Sequence, residues 1–96
     1  MKKKEILSKL DQLENMYLDL LWYARVNPDN LSKDGVQKRM KEVEEMYPEE
    51  VRQLKSPEGN WVHGFNSGAI AMIRYIQTLY HEGEEQANRE FPMLDS

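Results

Sequence analysis

The sequence predicts an all-α fold, a small bundle of two long helices and a kinked middle helix that is completed by dimerisation. An apolar seam with helical spacing runs through the N-terminal quarter, and a second apolar segment with helical spacing runs from Trp61 to Glu82. The chain has 96 residues, a length typical of one domain, so we expect a single helical domain over 1–96. A chain of this size buries only a modest share of its apolar surface, and pairing with a second copy buries more.

The first helix is predicted from apolar residues at alternating steps of four and three. They are Ile6, Leu10, Leu13, Tyr17, Leu20 and Ala24. We expect Leu10, Leu13, Tyr17 and Leu20 to form part of an interface between copies. The basic start at residues 1–4 is expected to fray. The helix should end near Asn27, because Pro28 disfavours helical geometry at the preceding residue.

The middle helix is predicted to begin after Ser32, a residue type that caps helix N-termini. Its apolar stripe contains Val36, Met40 and Val43. Pro48 lacks a backbone donor, so it should kink or break the helix, after which Glu49 to Lys55 can form another short helical piece.

The third helix is predicted to start at the Ser56-Pro57-Glu58-Gly59 motif, with Ser56 as the cap and Pro57 at the first helical position. Apolar residues on two of its sides indicate contact with more than one element. Glycines at two helix-interior positions four residues apart each cost about 1 kcal/mol relative to alanine, which indicates either close packing of another element or a ligand that approaches the backbone. The residues expected at this interface are Trp61, Gly64, Phe65, Gly68 and Met72.

The C-terminal segment is predicted to follow a helix stop at Gly83, with a short acidic helical turn over 84–90. The tail over 91–96 contains three large apolar residues, Phe91, Met93 and Leu94. Because such side chains are unfavourable in water, we expect the tail to dock on the bundle or on a sister subunit.

A polar stripe also follows the third helix at steps of three, four or seven. It contains Asn60, His63, Ser67, Arg74, Thr78 and His81. The stripe either faces solvent, with Arg74 pairing to an acidic neighbour, or lines a cleft. The two histidines are separated by about 27 Å along one helix and cannot share a metal ion unless an antiparallel dimer brings them together. His63 beside Ser67 lacks an orienting carboxylate on the same helix, so a packing role is favoured over nucleophilic catalysis.

Composition and charge exclude several classes of partner. The chain carries 13 basic and 17 acidic side chains for a net charge of −4, which disfavours binding to nucleic acid. No apolar run reaches the length that a membrane helix requires. The chain contains no cysteine and shows no secretory signal, which indicates a cytoplasmic location.

Two elements carry a resemblance. The His63-to-Gly68 element, HGFNSG, and the Glu90-to-Asp95 ending, EFPxLD, resemble small uncharacterised helical proteins of bacteria and their phages. The resemblance covers roughly the last third of the chain and implies no activity. If the chain is from a phage, a small acidic adaptor that binds a host protein fits its size and charge.

The function predicted from these features is a non-enzymatic interaction or assembly module, homodimeric and able to bind another protein, with no cofactor and no metal. The alternative is an enzyme similar to magnesium-dependent helical nucleotide pyrophosphohydrolases, which hold the metal with carboxylate pairs on two facing helices. The candidate pairs for that reading are Glu42 with Glu45 and Glu82 with Glu85.

Overall fold

The computed structural model describes residues 2–26, 29 and 33–91, and this part of the chain contains helices and no strand. The all-α class predicted from the sequence is therefore confirmed. The helices are α1 (Lys3–Arg25), α2 (Asp34–Met46), α3 (Pro48–Leu54), α4 (Gly59–Glu82) and α5 (Glu84–Glu90).

The two long helices, α1 and α4, pack against each other in an antiparallel pair. Arg74 of α4 donates a hydrogen bond to Glu14 of α1 at 2.9 Å, and Gln77, one turn further along α4, reaches Asp11 at 3.0 Å. Later residues of α4 thus meet earlier residues of α1. The apolar seam of α1 therefore packs largely against α4 of the same chain, although the sequence predicted that it contacts a second copy.

A core cluster forms where α2 and α3 pack on the C-terminal half of α1. Leu20 is 1% exposed and is surrounded by Tyr23, Val43 and Val51, all of which are buried. The prediction that Leu20 belongs to an intermolecular interface is therefore wrong. Its seam position points it into the chain's own core, and no second copy can contact it without unfolding that core.

The middle segment contains two helices separated by Tyr47, rather than one kinked helix. The Tyr47 backbone (φ −132°, ψ 59°) is not helical, and α3 then begins with Pro48 at its first turn. The proline has no N–H to continue the hydrogen-bond ladder of α2, and its ring disfavours helical geometry at Tyr47. Of the two outcomes predicted for Pro48, a kink and a break, the structure shows the break.

The connection into α4 also differs from the prediction. α4 begins at Gly59, and Ser56 and Pro57 lie in the preceding turn. The Ser56 hydroxyl donates to the Gln53 carbonyl at 2.6 Å at the end of α3 and accepts from the Glu58 N–H at 3.3 Å. Ser56 therefore makes the bond expected of the predicted cap, although α4 itself begins three residues later. A Cβ atom at Gly59 would overlap the Leu54 carbonyl, so the tight α3–α4 turn requires glycine there.

The N-terminal regions of α1 and α2 give two further outcomes. Lys3 and Lys4 form the first residues of α1, and the expected fraying of residues 1–4 stays a prediction. The predicted stop at Asn27–Pro28 and the predicted cap Ser32 lie outside the described residues, although α1 does end just before them, at Arg25.

The last helix folds back on α4 through a single glycine. Gly83 has φ 92° and ψ 173°, a backbone conformation that is essentially restricted to glycine, and it ends α4 as predicted. α5 then runs antiparallel to α4: the Tyr75 hydroxyl donates to Asn88 Oδ1 at 3.0 Å, and the Phe91 ring meets the Tyr75 ring edge-on at 6.0 Å. Ala87 is fully buried in this contact. Met93 and Leu94 of the predicted docking tail lie outside the described residues.

Candidate functional site

One side of α4 exposes large apolar side chains. Trp61 is 71% exposed, Phe65 55% and Met72 45%. The rings of Trp61 and Phe65 stack at a centroid distance of 5.7 Å, which fixes them as one flat surface. We call the side of α4 formed by Trp61, Gly64, Phe65, Gly68 and Met72 the α4 apolar face. A contiguous exposed apolar surface of this kind is typical of a binding site.

The α4 apolar face adjoins a groove between α4 and α1. The groove has a volume of about 510 Å³ and is lined by Leu13, Tyr17, Phe65, Gly68, Ala69, Met72 and Ile73. Five of these residues were expected at an interface from the sequence. Leu13 and Tyr17 of α1 therefore lie beside residues of α4 that were predicted as a separate candidate interface, whereas Leu20 lies in the core.

The two glycines of the α4 apolar face are not required by packing within the chain. α4 is continuous through both of them, and a Cβ atom built on Gly64 or Gly68 meets nothing within 4 Å. Alanine would favour the helix at each site by about 1 kcal/mol. The glycines thus leave a shallow area in the middle of the face, where a second helix can approach the α4 backbone closely.

The α5 helix limits the α4 apolar face at its C-terminal end. Tyr75, one turn after Met72 on nearly the same side of α4, is covered by Phe91 and bonded to Asn88. The N-terminal half of α4 carries no such cover among the described residues, as the exposure of Trp61 and Phe65 shows. The exposed surface thus ends where Phe91 packs.

The predicted polar stripe divides between solvent and a small cavity. Asn60, Ser67, Arg74 and His81 are exposed, and Arg74 pairs with Glu14. Thr78 bonds back to the Arg74 carbonyl at 2.8 Å. No hydrogen bond within the described part of the chain joins His63 to Ser67, and His63 Nδ1 is buried without a partner. The nucleophile arrangement is not formed in this structure.

The cavity at the α3–α4 junction brings Tyr23 and Lys55, which sequence reasoning missed, beside residues of the polar stripe. It has a volume of about 400 Å³, and its lining includes Tyr23, Lys55, Ser56, Asn60 and His63. Tyr23 and Lys55 are 32 positions apart in the sequence, so no spacing pattern connects them. Only the packing of α3 beside the end of α1 brings them together.

The charged groups of this cavity are already paired within the chain. Lys55 Nζ donates to Glu44 at 3.2 Å, and the Tyr23 hydroxyl donates to the same carboxylate at 3.1 Å. Contact with the Tyr23 hydroxyl, and then with Glu44, raises the pKa of Lys55 above its ordinary value. These neighbours favour the charged form of the Lys55 ammonium group. Lys55, Glu44 and Tyr23 thus form a hydrogen-bonded network within the chain.

The two acidic pairs of the enzyme alternative do not face each other on packed helices, as a shared magnesium site would require. Glu42 and Glu45 are exposed on α2, which packs on α1 and α3. Glu82 and Glu85 lie on two different helices on either side of Gly83, and Glu85 pairs with Arg89 at 2.7 Å. The described residues contain no cluster of three or more metal-binding side chains.

None of the helices in the described ranges combines the length and the apolar composition needed to cross a bilayer. Compared with known proteins, the chain matches no family model, no curated protein and no solved structure. The HGFNSG and EFPxLD elements therefore bring no activity from a characterised relative.

Proposed function

We propose that the protein is a non-enzymatic helical interaction module that forms a homodimer through the α4 apolar face. The observation that carries this proposal is the exposure of Trp61, Phe65 and Met72 around glycines whose neighbouring space is empty. Water is an unfavourable environment for the three large side chains, and the glycines lower helix stability without serving the chain's own packing. A second helix on this face accounts for both features.

The order of residues along α4 favours an antiparallel pairing with a second copy. A two-fold axis level with the midpoint between Asn66 and Ser67 places Trp61 opposite Met72 of the other copy, because the two residues are equally far from that midpoint. The same operation places Phe65 opposite Gly68. Each large side chain then meets a flexible or small one, which is the complementarity that close helix packing requires. Trp61 against Met72 also gives a favourable sulfur–aromatic contact.

The available area supports a modest affinity. With about 200 Å² for each large side chain, the exposed fractions of Trp61, Phe65 and Met72 amount to about 340 Å² per copy. Stable interfaces bury about 800 Å² per partner, and transient ones about 600 Å² or less. With Leu13 and Tyr17 contributing from the groove, the expected product is a weak, concentration-dependent dimer with a dissociation constant on the order of 100 µM.

The test is to place a charge on the face and to measure the oligomeric state. Phe65→Glu should abolish dimerisation, because a carboxylate opposite Gly68 would be desolvated without a partner. Met46→Glu is the matched control: Met46 is 63% exposed on α2 and lies outside the face. Sedimentation equilibrium over about 1–500 µM, with circular dichroism to verify folding, separates the two. A wild-type chain that is monomeric throughout, or a dimer that both variants keep, would overturn the proposal.

A further inference from the structure

The cavity at the α3–α4 junction shares no residue with the α4 apolar face and takes its polar lining from three parts of the chain. Tyr23 comes from α1, Lys55 and Ser56 from the turn after α3, and Asn60 and His63 from the start of α4. We propose that this cavity binds a small oxyanion, a phosphate or carboxylate group, through the Lys55 ammonium group and the side-chain N–H donors of Asn60 and His63. The proposal is independent of the dimer.

The charge of the cavity is opposite to that of the chain as a whole. The chain has 17 acidic and 13 basic side chains, yet the described residues that line the cavity include Lys55 and no carboxylate. Glu44 bonds to Lys55, and Glu58 lies 3.3 Å from the Ser56 hydroxyl, but neither of these acids lines the cavity. The lining therefore favours an anion over a cation.

Lys55 keeps donor capacity for such a ligand. An ammonium group has three N–H donors, and Glu44 accepts one of them at 3.2 Å. Contact with the Tyr23 hydroxyl engages at most one more. The Lys55 side chain is 60% exposed and that of Glu44 40%, so their ion pair contributes little to stability and allows an anion to share the ammonium group.

His63 presents a donor on its accessible edge. Its Nδ1 atom is buried and has no hydrogen-bond partner within the described residues. An N–H buried without an acceptor is unfavourable, so we assign the proton of the neutral ring to Nε2. The ring as a whole is half-buried and lines the cavity. Because Nδ1 is inaccessible, the edge that carries Nε2–H is the one available to a ligand.

Asn60 supplies a further donor. Its side chain is exposed, and no hydrogen bond among the described residues involves it. Asn60 precedes His63 by three positions, a separation that places two side chains on the same side of a helix. With Lys55 reaching the same cavity from the preceding turn, a charged donor and two neutral donors converge on one space, as oxyanion recognition requires.

The size of the cavity suits a small molecule. Its volume of about 400 Å³ lies within the range of about 300–1,000 Å³ that is usual for ligand pockets. The rest of the lining includes apolar groups from Ala24, Leu54 and Pro57. A free ion and the phosphate or carboxylate group of a small organic molecule are thus both accommodated.

Binding is tested by nuclear magnetic resonance of the two histidine rings in the full chain. Inorganic phosphate is added at constant pH and ionic strength, with sodium chloride as the balancing salt. The Cε1–H signal of His63 should shift and saturate at about millimolar phosphate, as expected for a ligand of five heavy atoms. His81, exposed near the other end of α4, is the internal control and should not move. A parallel titration with acetate distinguishes a carboxylate ligand from a phosphate ligand.

Two variants separate binding from stability. Lys55→Gln should weaken phosphate binding at least about tenfold, because a charge-assisted contact is lost. Lys41→Gln, at an exposed site on α2, makes the same charge change and should leave binding unaltered. Asn60→Asp places a carboxylate in the first turn of α4, where it favours the helix. The melting temperature should therefore stay the same or rise while phosphate binding is lost.

Three results would overturn the proposal. The first is a His63 signal that does not move with phosphate or acetate, and the second is a shift that rises linearly or equally at His81. The third is unchanged phosphate affinity in both Lys55→Gln and Asn60→Asp, because the ion would then bind elsewhere. None of these results depends on the oligomeric state.

Discussion

Replacement of Gly68 by alanine should change stability and association in opposite directions. In one copy, the added methyl group meets nothing within 4 Å and the site is in the interior of a 24-residue helix. The exchange should therefore stabilise the folded chain by about 0.8–1 kcal/mol through helix propensity and the smaller entropy of the unfolded state. For a domain of this size, that corresponds to a rise in melting temperature of about 4–8 °C.

In the proposed dimer, the same methyl group would lie where Phe65 of the second copy packs. An extra methyl group in a close helix contact costs about 1–3 kcal/mol, which weakens association by at least about fivefold. Thermal unfolding followed by circular dichroism at a few micromolar gives the first quantity, and sedimentation equilibrium gives the second. Gly35→Ala is the matched control, because its site is also open but belongs to α2. It should leave association unchanged.

The two measurements together decide between explanations. If Gly68→Ala raises the melting temperature and leaves the dimer constant as it was, the α4 apolar face is not the contact between copies. If it lowers the melting temperature at low concentration, the description of Gly68 as free of contacts within the chain is wrong.

Three further outcomes follow from the fold. Leu20→Ala should lower the free energy of unfolding by about 2–5 kcal/mol, because Leu20 is 1% exposed. Leu18→Ala, at a site that is 39% exposed, should lower it far less. Urea unfolding compares the two variants, and equal losses would contradict the assigned core. Gly83→Ala should lower the free energy of unfolding by about 1–3 kcal/mol and release α5 from α4, because a residue with a side chain is strained at φ 92° and ψ 173°. Retained amide protection in α5 would argue against this. Burial, and then the Asp19 carboxylate, raise the pKa of the Tyr47 hydroxyl, so its contribution to stability is complete below about pH 10 and is lost as pH rises through the higher folded-state pKa. Urea midpoints at pH 8 and 11 should therefore fall less in Tyr47→Phe than in the wild type, and equal falls would refute this role.

Local sequence patterns predicted the helices well and their partners less well. Three local features predicted helices or their ends: the apolar spacing along α1 and α4, the glycine stop at Gly83 and the proline at position 48. Each acts through backbone geometry, which depends on neighbouring residues. The partner of a helical seam depends on the packing of distant segments. Leu20 and Tyr17 have the same pattern in the sequence, yet Leu20 is fully buried in the core, whereas Tyr17 is partly buried, packs against the core cluster and lines the groove.

The same distinction between local pattern and the packing of distant segments applies to the candidate site. The apolar composition and glycine spacing of residues 61–72 predicted the α4 apolar face, because one helix carries most of it. A cleft lined by Asn60 and His63 was one of the two alternatives for the polar stripe, but the contribution of Tyr23 and Lys55 was not predicted, since they reach the cavity from α1 and from the turn after α3. Its ion pair depends on a contact between Lys55 and Glu44 across two helices, which no periodicity encodes.

The shortness of α5 has a consequence for how the molecule can be observed. A seven-residue helix is far below the length at which helices persist alone in water, so α5 keeps its shape only while Ala87 and Phe91 rest on α4. The protection of its amides against hydrogen exchange therefore reports whether α5 is in contact with Tyr75 of α4. Any ligand, partner or substitution that lifts this segment should register first as deuterium uptake in residues 84–91, before the remaining helices respond.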